Sequence, residues 1–506
     1  MKNILFTAFI LFLLPFSLSA QKSIDDSFSQ KNMKKDLELF KNIRQKANSG
    51  LYKYRTKNEI DSVYTWAENE IEKSSTYRDF YNIIWELTDF EGSLHNGLSL
   101  PKKINTSLKD EKTGYFPFPV KLIEGKLRMN MDSAQIPLGA EILSINNHSI
   151  EDILPNFYKY YTTDGFNKTG KAIGINGNFS YYYRLHYGRQ EQFLVTYKIA
   201  ESDKILTQTI QSVSYMRRLQ NFVFKRHSLS YDKNSYYSKE EDEPYSFEML
   251  ENDIAKLTLN TFIIGGNTKD PVHIRYTEFL DSVFTVLKEK QVNNLIVDVR
   301  HNGGGTDPND LVTYSYLSSR NFRENKQAWV SFKKIPYWKH IKGEVPFYLK
   351  PIAKIIYTKQ LRKEFPIEKE GKYYQDSTSN DQQIRIPKEN AFTGKVYLMI
   401  SPRVASAGSL FAALSASEKN TIVVGEETQG GYYGHNGHTP IHYTLPKSKL
   451  KMYFSIVNLE QDVPKKENQP VGSGIIPNYE IAQSYEDFIK NEDTQLNYVL
   501  ELIKKK

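Results

Sequence analysis

Ser406 stands where a strand-like segment gives way to a helix-like one, a position from which a serine can do chemistry. The segment "GKVYLMIS" (394–401) has the pattern of a buried strand, and "SPRVASAGSLFAAL" (401–414) places small residues around Ser406 before an apolar run. Such a serine can be the nucleophile of an acyl transfer if a base accepts its proton. The structural alternative is a helix N-cap, a role that Ser401 or Ser409 could share.

Glycine-rich segments follow two other strand-like segments. "NNLIVDVR" runs into "HNGGGTDPND" (301–310), and "NTIVVGEETQGGYYG" (420–434) repeats the layout. Three successive glycines could cradle a phosphate, but neither G-x-x-x-x-G-K-[ST] nor G-x-G-x-x-G occurs in the right setting. Backbone amides freed by glycine can also stabilise an oxyanion. Acyl transfer is therefore the preferred chemistry.

Alternating strand and helix signals from about 248 to 490 predict an α/β core with a mainly parallel sheet, whose loops at the strand C-termini carry the site. Within it, an aromatic and basic insertion at 320–393 is either a solvated lid or a substrate contact. The other predicted parts are an N-terminal helical domain (21–115), a small β domain (116–210), a polar linker (211–247) and a C-terminal helix (491–506).

Three apolar stripes at helical spacing define the predicted N-terminal helical domain. Their members are Met33, Leu37, Phe40 and Ile43; Ile60, Val63 and Trp66; and Tyr77, Phe80, Ile84 and Leu87.

The chain begins like a secreted protein. One lysine precedes an apolar stretch, short for a membrane span, that ends in Ser17-Leu18-Ser19-Ala20. We expect cleavage of this signal peptide (1–20) after Ala20 and a periplasmic or secreted product. The 506 residues include no cysteine, which excludes disulfides, a thiol nucleophile and a lipid-modified cysteine. The net charge of +8 is spread among both signs, so nucleic acid is not an expected partner.

The segment "AQIPLGAEILSINNHSIED" (134–152) resembles the core motif of PDZ domains, with Ala140 and Asn147 in place of an Asp and a Gly. PDZ domains bind an extended peptide by adding it as a strand to a sheet edge. The alternative is another small β domain with an Asn-rich hairpin.

The order of these motifs, followed by "GSGIIPN", resembles the C-terminal processing (tail-specific) serine peptidases, including their tricorn-like branch. The resemblance implies cleavage of polypeptides without a cofactor. It also implies an α+β multidomain chain with a crotonase-like α/β catalytic core and a PDZ-like β domain. By this resemblance Ser406 is the nucleophile, and the amides of Gly304 and Ala407 form the oxyanion hole.

One departure from the family concerns the base. Many members use a lysine where this chain has Gly431. The tricorn-like branch uses a histidine from a loop ahead of the PDZ module, and "EGSLHNG" matches that placement, so the resemblance implies His95 as general base. The acid that orients this histidine is open among Glu460, Asp462 and Glu467, and Glu460 is favoured.

Two further histidines, His435 and His438, follow the position of the family lysine. They could be an alternative base, part of a metal site, or ordinary hairpin residues, and a metal site would lack a third nearby ligand.

Taken together, the motifs and the resemblance predict an exported serine endopeptidase that cleaves extended or unfolded polypeptides. The alternatives are an inactive peptide-binding scaffold and a hydrolase of a non-peptide ester or amide.

Overall fold

The structure is a computed structural model and describes residues 23–200, 202, 204–227, 243–251, 253–306, 308–341 and 345–505. The predicted signal peptide and its cleavage site lie outside these residues. Within the described residues, no helix has the length and apolar character needed to span a bilayer.

The N-terminal region is helical, as predicted. Its elements are α1 (Gln30–Ala47), α2 (Lys57–Lys73), α3 (Tyr77–Phe90), strand β1 (Gly97–Ser99) and α4 (Lys102–Asp110). Helices α2 and α3 each begin with a capping box, formed by Thr56 with Glu59 and by Thr76 with Asp79. The predicted stripe on α2 was wrong in part, because Trp66 is 38% exposed and Tyr64 is buried instead. The buried face of α2 uses the four-residue as well as the three-residue spacing of a helix.

The region predicted as a small β domain is an antiparallel sheet covered by helices. Its elements are β2 (Val120–Ile123), β3 (Lys126–Met129), β4 (Glu141–Ile145), β5 (His148–Ser149), α5 (Ile150–Tyr158), α6 (Lys171–Tyr187), β6 (Gln192–Lys198) and β7 (Ile205–Gln211). The strand order is β2-β3-β4-β6-β7, and β5 pairs with β4. The turn predicted at Asn146-Asn147 is present, with φ of 50° and 65°. We call this unit the antiparallel domain.

The segment 211–247, predicted as a polar linker, is in part regular structure. Helix α7 (Tyr215–Lys225) lies in it, and strand β8 begins at Tyr245. Helix α7 buries a narrow face at Arg218, Asn221 and Phe222. The polar stretch that suggested a linker, "YSKEEDEPYS" (237–246), lies mostly outside the described residues.

The predicted α/β core is present. Its strands and helices are β8 (Tyr245–Glu251), β9 (Ile254–Leu259), α8 (Pro271–Glu289), β10 (Asn294–Asp298), α9 (Asn309–Ser315), β14 (Lys395–Ile400), α11 (Ala407–Ala416), β15 (Thr421–Gly425) and β19 (Tyr479–Glu480). The sheet order is β19-β15-β14-β10-β9-β8, with every neighbour parallel except the β8 edge. Because carboxyl ends of parallel strands share an edge, the glycine-rich segment after β10 lies beside the Ser406 segment after β14.

The insertion at 320–393 contains a sheet of its own. Its elements are β11 (Asn325–Val330), α10 (Lys350–Glu364), β12 (Ile367–Lys369) and β13 (Lys372–Tyr374), and the sheet is completed by β18 (Asn458–Gln461) in the order β12-β13-β11-β18. Two more strands of the core, β16 (Pro440–Thr444) and β17 (Lys451–Ser455), pair with β1 in the order β1-β17-β16. The β1-β17 pair ties the N-terminal region to the core. The chain ends with α12 (Tyr485–Lys490) and α13 (Thr494–Lys504).

Candidate active site

The backbone at Ser406 has an unusual conformation between strand β14 and helix α11. Its φ and ψ are 51° and −130°, and its side chain makes no capping hydrogen bond to the helix. A positive φ is costly for a residue with a Cβ, so surrounding contacts must hold it in place. The two other candidate caps are occupied elsewhere, because Ser401 Oγ donates to the carbonyl of Arg300 and Ser409 Oγ donates to that of Ser406. Ser406 thus occupies the N-cap position of α11 without a side-chain cap, and its hydroxyl is free to contact another group.

His95 is that group. Its Nε2 lies 3.3 Å from Ser406 Oγ, although the two residues are 311 positions apart in the chain. The β1-β17 pair, which starts two residues after His95 with Gly97 opposite Tyr453, brings the histidine loop to the core. The structure thus places the predicted serine and the predicted histidine within hydrogen-bonding reach of each other.

The loop of His95 is held by two side chains of the antiparallel domain. Thr162 Oγ1 donates to the carbonyls of Leu94 (3.2 Å) and Asn96 (2.9 Å). Asp164 Oδ1 accepts from the amide of Leu94 at 3.0 Å. Both neighbours of His95 in the chain are therefore fixed by hydrogen bonds, which limits how far the imidazole can move from Ser406.

Asp164 also reaches the segment where the family lysine was expected. Its Oδ2 accepts from the amide of Gly431 at 3.0 Å, and burial raises the pKa of the Asp164 carboxyl. A Cβ at position 431 would meet the carbonyl oxygen of Gly434 at 3.0 Å. The buried Lys53 is close to Asp164 electrostatically, but its ammonium donates to the carbonyls of His435 and Leu459 and not to Ser406. No lysine takes the base position among the described residues.

A second imidazole packs against His95. The ring centroids of His95 and His435 are 4.8 Å apart, with 36° between the planes. A Cβ at Gly437 would fall 2.1 Å from the His435 ring and 2.7 Å from the His95 ring, so glycine leaves the space that the pair needs. Among described residues, neither ring nitrogen of His435 has a hydrogen-bond partner. Burial, followed by the neighbouring His95 and Lys53, holds the pKa of His435 well below its usual range, so this ring is neutral.

Burial also lowers the pKa of His95, to about 4. Its Nδ1 is buried and has no hydrogen-bond partner among the described residues. At neutral pH the imidazole is therefore uncharged, which is the form that can accept a proton from a hydroxyl.

The structure does not bring the favoured acid, Glu460, to His95. Its two carboxylate oxygens accept from Lys326 Nζ (2.9 Å) and Gln327 Nε2 (2.7 Å). The reason is strand alternation, because Glu460 lies between buried Leu459 and Gln461 on β18 and its side chain is on the opposite, half-exposed face. Of the other two acids, Asp462 pairs with Arg323 at 3.4 Å and Glu467 is exposed.

Of the two predicted oxyanion amides, that of Gly304 is already engaged. It donates to Asn302 Oδ1 at 3.0 Å, a bond within its own turn. Its φ is 106°, and a Cβ there would lie 2.7 Å from Ser406 Cβ and 3.1 Å from the nitrogen of Ala407. The missing side chain of Gly304 thus leaves room beside Ser406, and the assignment of its amide to the oxyanion hole stays a prediction. The amide of Ala407 lies at the N-terminus of α11, where helix amides lack intrahelical partners.

Comparison with known proteins adds the class of protein. Residues 253–481 match the sequence model of a family described as Peptidase family S41. This part of the chain is therefore similar to peptidase family S41. A comparison with curated protein sequences found no match.

The S41 region supplies Ser406, but His95, Thr162 and Asp164 all precede it in the chain. Solved structures are similar over a longer span. Mature CPAF complexed with lactacystin matches at 11% identity and a TM-score of 0.59, over 94% of this chain and 98% of that chain. Mature CPAF matches at 12% identity and a TM-score of 0.58, over 94% and 97%. At these identities the similarity concerns the fold. It extends to the parts that carry the histidine loop.

A cleft of about 550 Å³ separates the antiparallel domain from the S41 core and reaches the backbone next to Ser406. Its walls include Gly304 and Ala405 from the core and Asn176 from the antiparallel domain. Four basic residues line the cleft: Lys121, Arg226, His301 and Arg403. No acidic residue is among its described lining. The cleft therefore presents positive charge to whatever enters it.

His438, the second histidine of the hairpin, lies elsewhere. Its ring nitrogens are 3.4 Å from Glu364 and 3.5 Å from Asp381, both in the insertion. No group of three or more His, Cys, Asp or Glu suited to a metal ion is found in the part of the chain that the structure describes.

Thr162 and Asp164 could not be found from the sequence, because "TTDG" carries no motif and their role depends on tertiary contacts alone.

Proposed function

We propose that the protein is a serine endopeptidase in which Ser406 is the nucleophile and His95 the general base. The observation that carries this proposal is the 3.3 Å contact between His95 Nε2 and Ser406 Oγ, next to a cleft whose wall includes Ala405 and Gly304 of the region similar to peptidase family S41. A nucleophile and a neutral base at this distance form the minimal unit of covalent acyl transfer.

The proposed reaction has two steps. Ser406 Oγ attacks the peptide carbonyl while its proton passes to His95 Nε2, and the carbonyl oxygen becomes an oxyanion that accepts from the Ala407 amide. The imidazolium then gives its proton to the leaving amine, and an acyl-enzyme remains on Ser406. Water, deprotonated by His95, hydrolyses this ester and restores both side chains.

In this proposal the positioning of His95 does not need a carboxylate bonded to its imidazole. Thr162 and Asp164 fix the backbone on both sides of the histidine, and the neutral ring of His435 packs against its imidazole. These contacts limit the rotation of the ring, which is the orienting part of the role that an acid has in other serine hydrolases.

Substrate enters, we propose, as an extended polypeptide along the antiparallel domain. Strand β2 is an edge of that sheet, and its Lys121 lines the cleft. A peptide that adds to this edge as a strand would displace Asn176 Oδ1 from the Leu122 amide, which donates to it at 2.8 Å, and this PDZ-like mode of binding would lead a substrate toward Ser406.

We also propose that the protein is exported and acts in the periplasm or outside the cell. The support is the leader-like sequence that ends at Ala20. N-terminal sequencing of the mature protein should give a chain that begins at Gln21, and retention of residues 1–20 would contradict export by cleavage.

Digestion of casein tests the function itself. We expect the wild-type protein to produce casein fragments and the Ser406→Ala variant to produce none. Ser417→Ala is the matched control, because this serine lies at the far end of α11 and caps a carbonyl there. Intact casein together with cleavage of a nitrophenyl ester would favour an ester hydrolase, and loss of both would favour a scaffold.

The low pKa of His95 predicts an unusual pH profile. Burial lowers this pKa to about 4, so the imidazole stays neutral down to that pH and is protonated only below it. We expect kcat/KM, which reports the free enzyme, to fall as pH drops through about 4, well below the usual range for histidine near 6.5. Circular dichroism at each pH separates this loss from acid unfolding.

The buried carboxyl of Asp164 has its own raised pKa, so it could add a second step to the profile near pH 6. That step would disappear in Asp164→Asn and leave the lower one unchanged. A single step near 6.5 that persists in this variant would contradict the assignment of the lower step to His95.

A further inference from the structure

Helix α10, in the insertion, exposes large apolar side chains. Ile352, Ile355 and Ile356 are 57%, 69% and 51% exposed, and Tyr348 in the turn before the helix is 66% exposed. Leu361 is buried within α10. Three exposed isoleucines in two turns leave apolar surface in contact with water, and such clustered surface usually marks a binding site.

The exposed apolar side chains lie on one side of the helix. With 100° between successive residues, Ile352, Ile355 and Ile356 fall within about 100° of one another, and Leu361 lies on the opposite side. The side that bears Leu361 packs on the body of the protein. Trp338, in that body, donates from Nε1 to the Lys350 carbonyl at 3.2 Å and packs against Tyr357 with centroids 5.6 Å apart. The helix is therefore held on the body with its isoleucines outward.

Basic residues predominate on helix α10, and three of them lie on the side of the isoleucines. Helix α10 contains five basic residues and one acidic residue, and so carries +4 of the chain's net +8. The basic residues are Lys350, Lys354, Lys359, Arg362 and Lys363. The acid, Glu364, lies 3.4 Å from His438 and faces the body. With 100° between successive residues, Lys359, Arg362 and Lys363 fall on the side of the isoleucines, whereas Lys350 donates from Nζ to the Ile341 carbonyl of the body. We call Tyr348, Ile352, Ile355, Ile356, Lys359, Arg362 and Lys363 the α10 surface.

The charge decides between possible occupants of the α10 surface. A second copy of the chain packed through the isoleucines would bring two sets of three basic residues together, and like charges at short range oppose such contact. An anionic phospholipid surface can bind both kinds of side chain, because its acyl chains contact the isoleucines and its headgroups pair with the cations.

We propose that the α10 surface binds the protein to an anionic phospholipid membrane, with α10 parallel to the membrane plane and its isoleucines between the headgroups. Lys359, Lys363 and Arg362 contact the phosphates, while Trp338 and Tyr357 hold the helix on the body. Membrane binding by the α10 surface depends on the exposure, helix geometry and charge of that surface and does not depend on the chemistry at Ser406.

Co-sedimentation with vesicles tests the proposal, using the chain from residue 21, which keeps all described residues and removes the apolar leader. In 0.1 M salt we expect wild-type protein to pellet with vesicles of equal phosphatidylglycerol and phosphatidylcholine and to remain in solution with phosphatidylcholine alone. The Ile352→Ser/Ile355→Ser/Ile356→Ser variant should bind at least tenfold more weakly.

The matched control is Ile384→Ser/Ile386→Ser, which removes isoleucines that are 72% and 70% exposed outside the α10 surface and should bind like wild type. Equal binding by the triple variant and wild type, or no wild-type binding to either vesicle, would overturn the proposal. Light scattering that shows a dimer abolished by the triple variant would also overturn it, because a second copy would then cover the surface. Hydrolysis of a soluble substrate should be unchanged in the triple variant.

Discussion

Replacing His95 by alanine should lower kcat/KM for a peptide substrate by about a thousandfold or more and abolish labelling of Ser406 by a fluorophosphonate. The reason is that Ser406 Oγ has His95 Nε2 at 3.3 Å as its base, while no lysine contacts this hydroxyl among the described residues. A neutral hydroxyl attacks both a peptide carbonyl and phosphorus slowly, so both assays depend on the same proton transfer. Labelling is measured by mass spectrometry of the peptide that contains Ser406.

Two other histidines serve as comparisons for this prediction. His438→Ala should label like wild type, because that ring contacts Glu364 and Asp381 in the insertion. His435→Ala should label more slowly than wild type but faster than His95→Ala, because it removes a packing partner of the base and not the base itself. If His435→Ala lost labelling and His95→Ala kept it, the base would be His435 and our assignment would be wrong.

The positions of Ser406 and the glycine-rich segments could be predicted from sequence because they depend on local patterns. Continuous apolar strands, two of them followed by glycine-rich segments and one by the Ser406 segment, predict loops at one edge of a parallel sheet, and the structure has that sheet. The N-terminal helices were predictable for the same reason, although the packed side of α2 required tertiary information. Local patterns identify elements and their ends with little help from the rest of the chain.

The residues that hold the base could not be found in this way. His95 was selected by resemblance and not by its spacing, and the contact with Ser406 depends on the pairing of β1 with β17 across some 350 residues of chain. Thr162 and Asp164 act through backbone groups of the His95 loop, so their type carries little signal in a single sequence. Glu460 was chosen by proximity in sequence, and the alternation of β18 places its side chain on the other face from its buried neighbours.

The oxyanion amides show a similar limit. The resemblance gave Gly304 by its place in a row of three glycines, but the role of each glycine depends on its dihedral angles. Gly304 has a φ of 106°, and its amide is turned to Asn302. The sequence cannot distinguish an amide that faces a substrate from one that closes a turn, because both need the same residue type.

Substituting Gly304 by alanine should therefore abolish hydrolysis through steric effects at Ser406. The new Cβ would lie 2.7 Å from Ser406 Cβ, a distance that two carbon atoms do not reach, so one of them must move. It would also lie 3.0 Å from the Ala405 carbonyl oxygen, which is a tight contact. The φ of 106° is also unfavourable for alanine, at a cost of about 1–3 kcal/mol in folding stability. We expect kcat/KM to fall by at least a hundredfold, measured with the same peptide substrate, because a shift of Ser406 by about 1 Å disrupts its alignment with His95.

Gly303→Ala is the matched control for this substitution, because it adds the same methyl group one residue away. A Cβ at position 303 would meet no atom within 4 Å, so this variant should keep most of the activity and the melting temperature of wild type. Thermal melts of both variants separate a local shift at Ser406 from unfolding. Full activity in a folded Gly304→Ala protein would mean that Ser406 does not need the space that glycine leaves, and equal losses in both variants would mean that the row of glycines acts through flexibility. Only the contrast between the two positions ties the loss to the contact of residue 304 with Ser406.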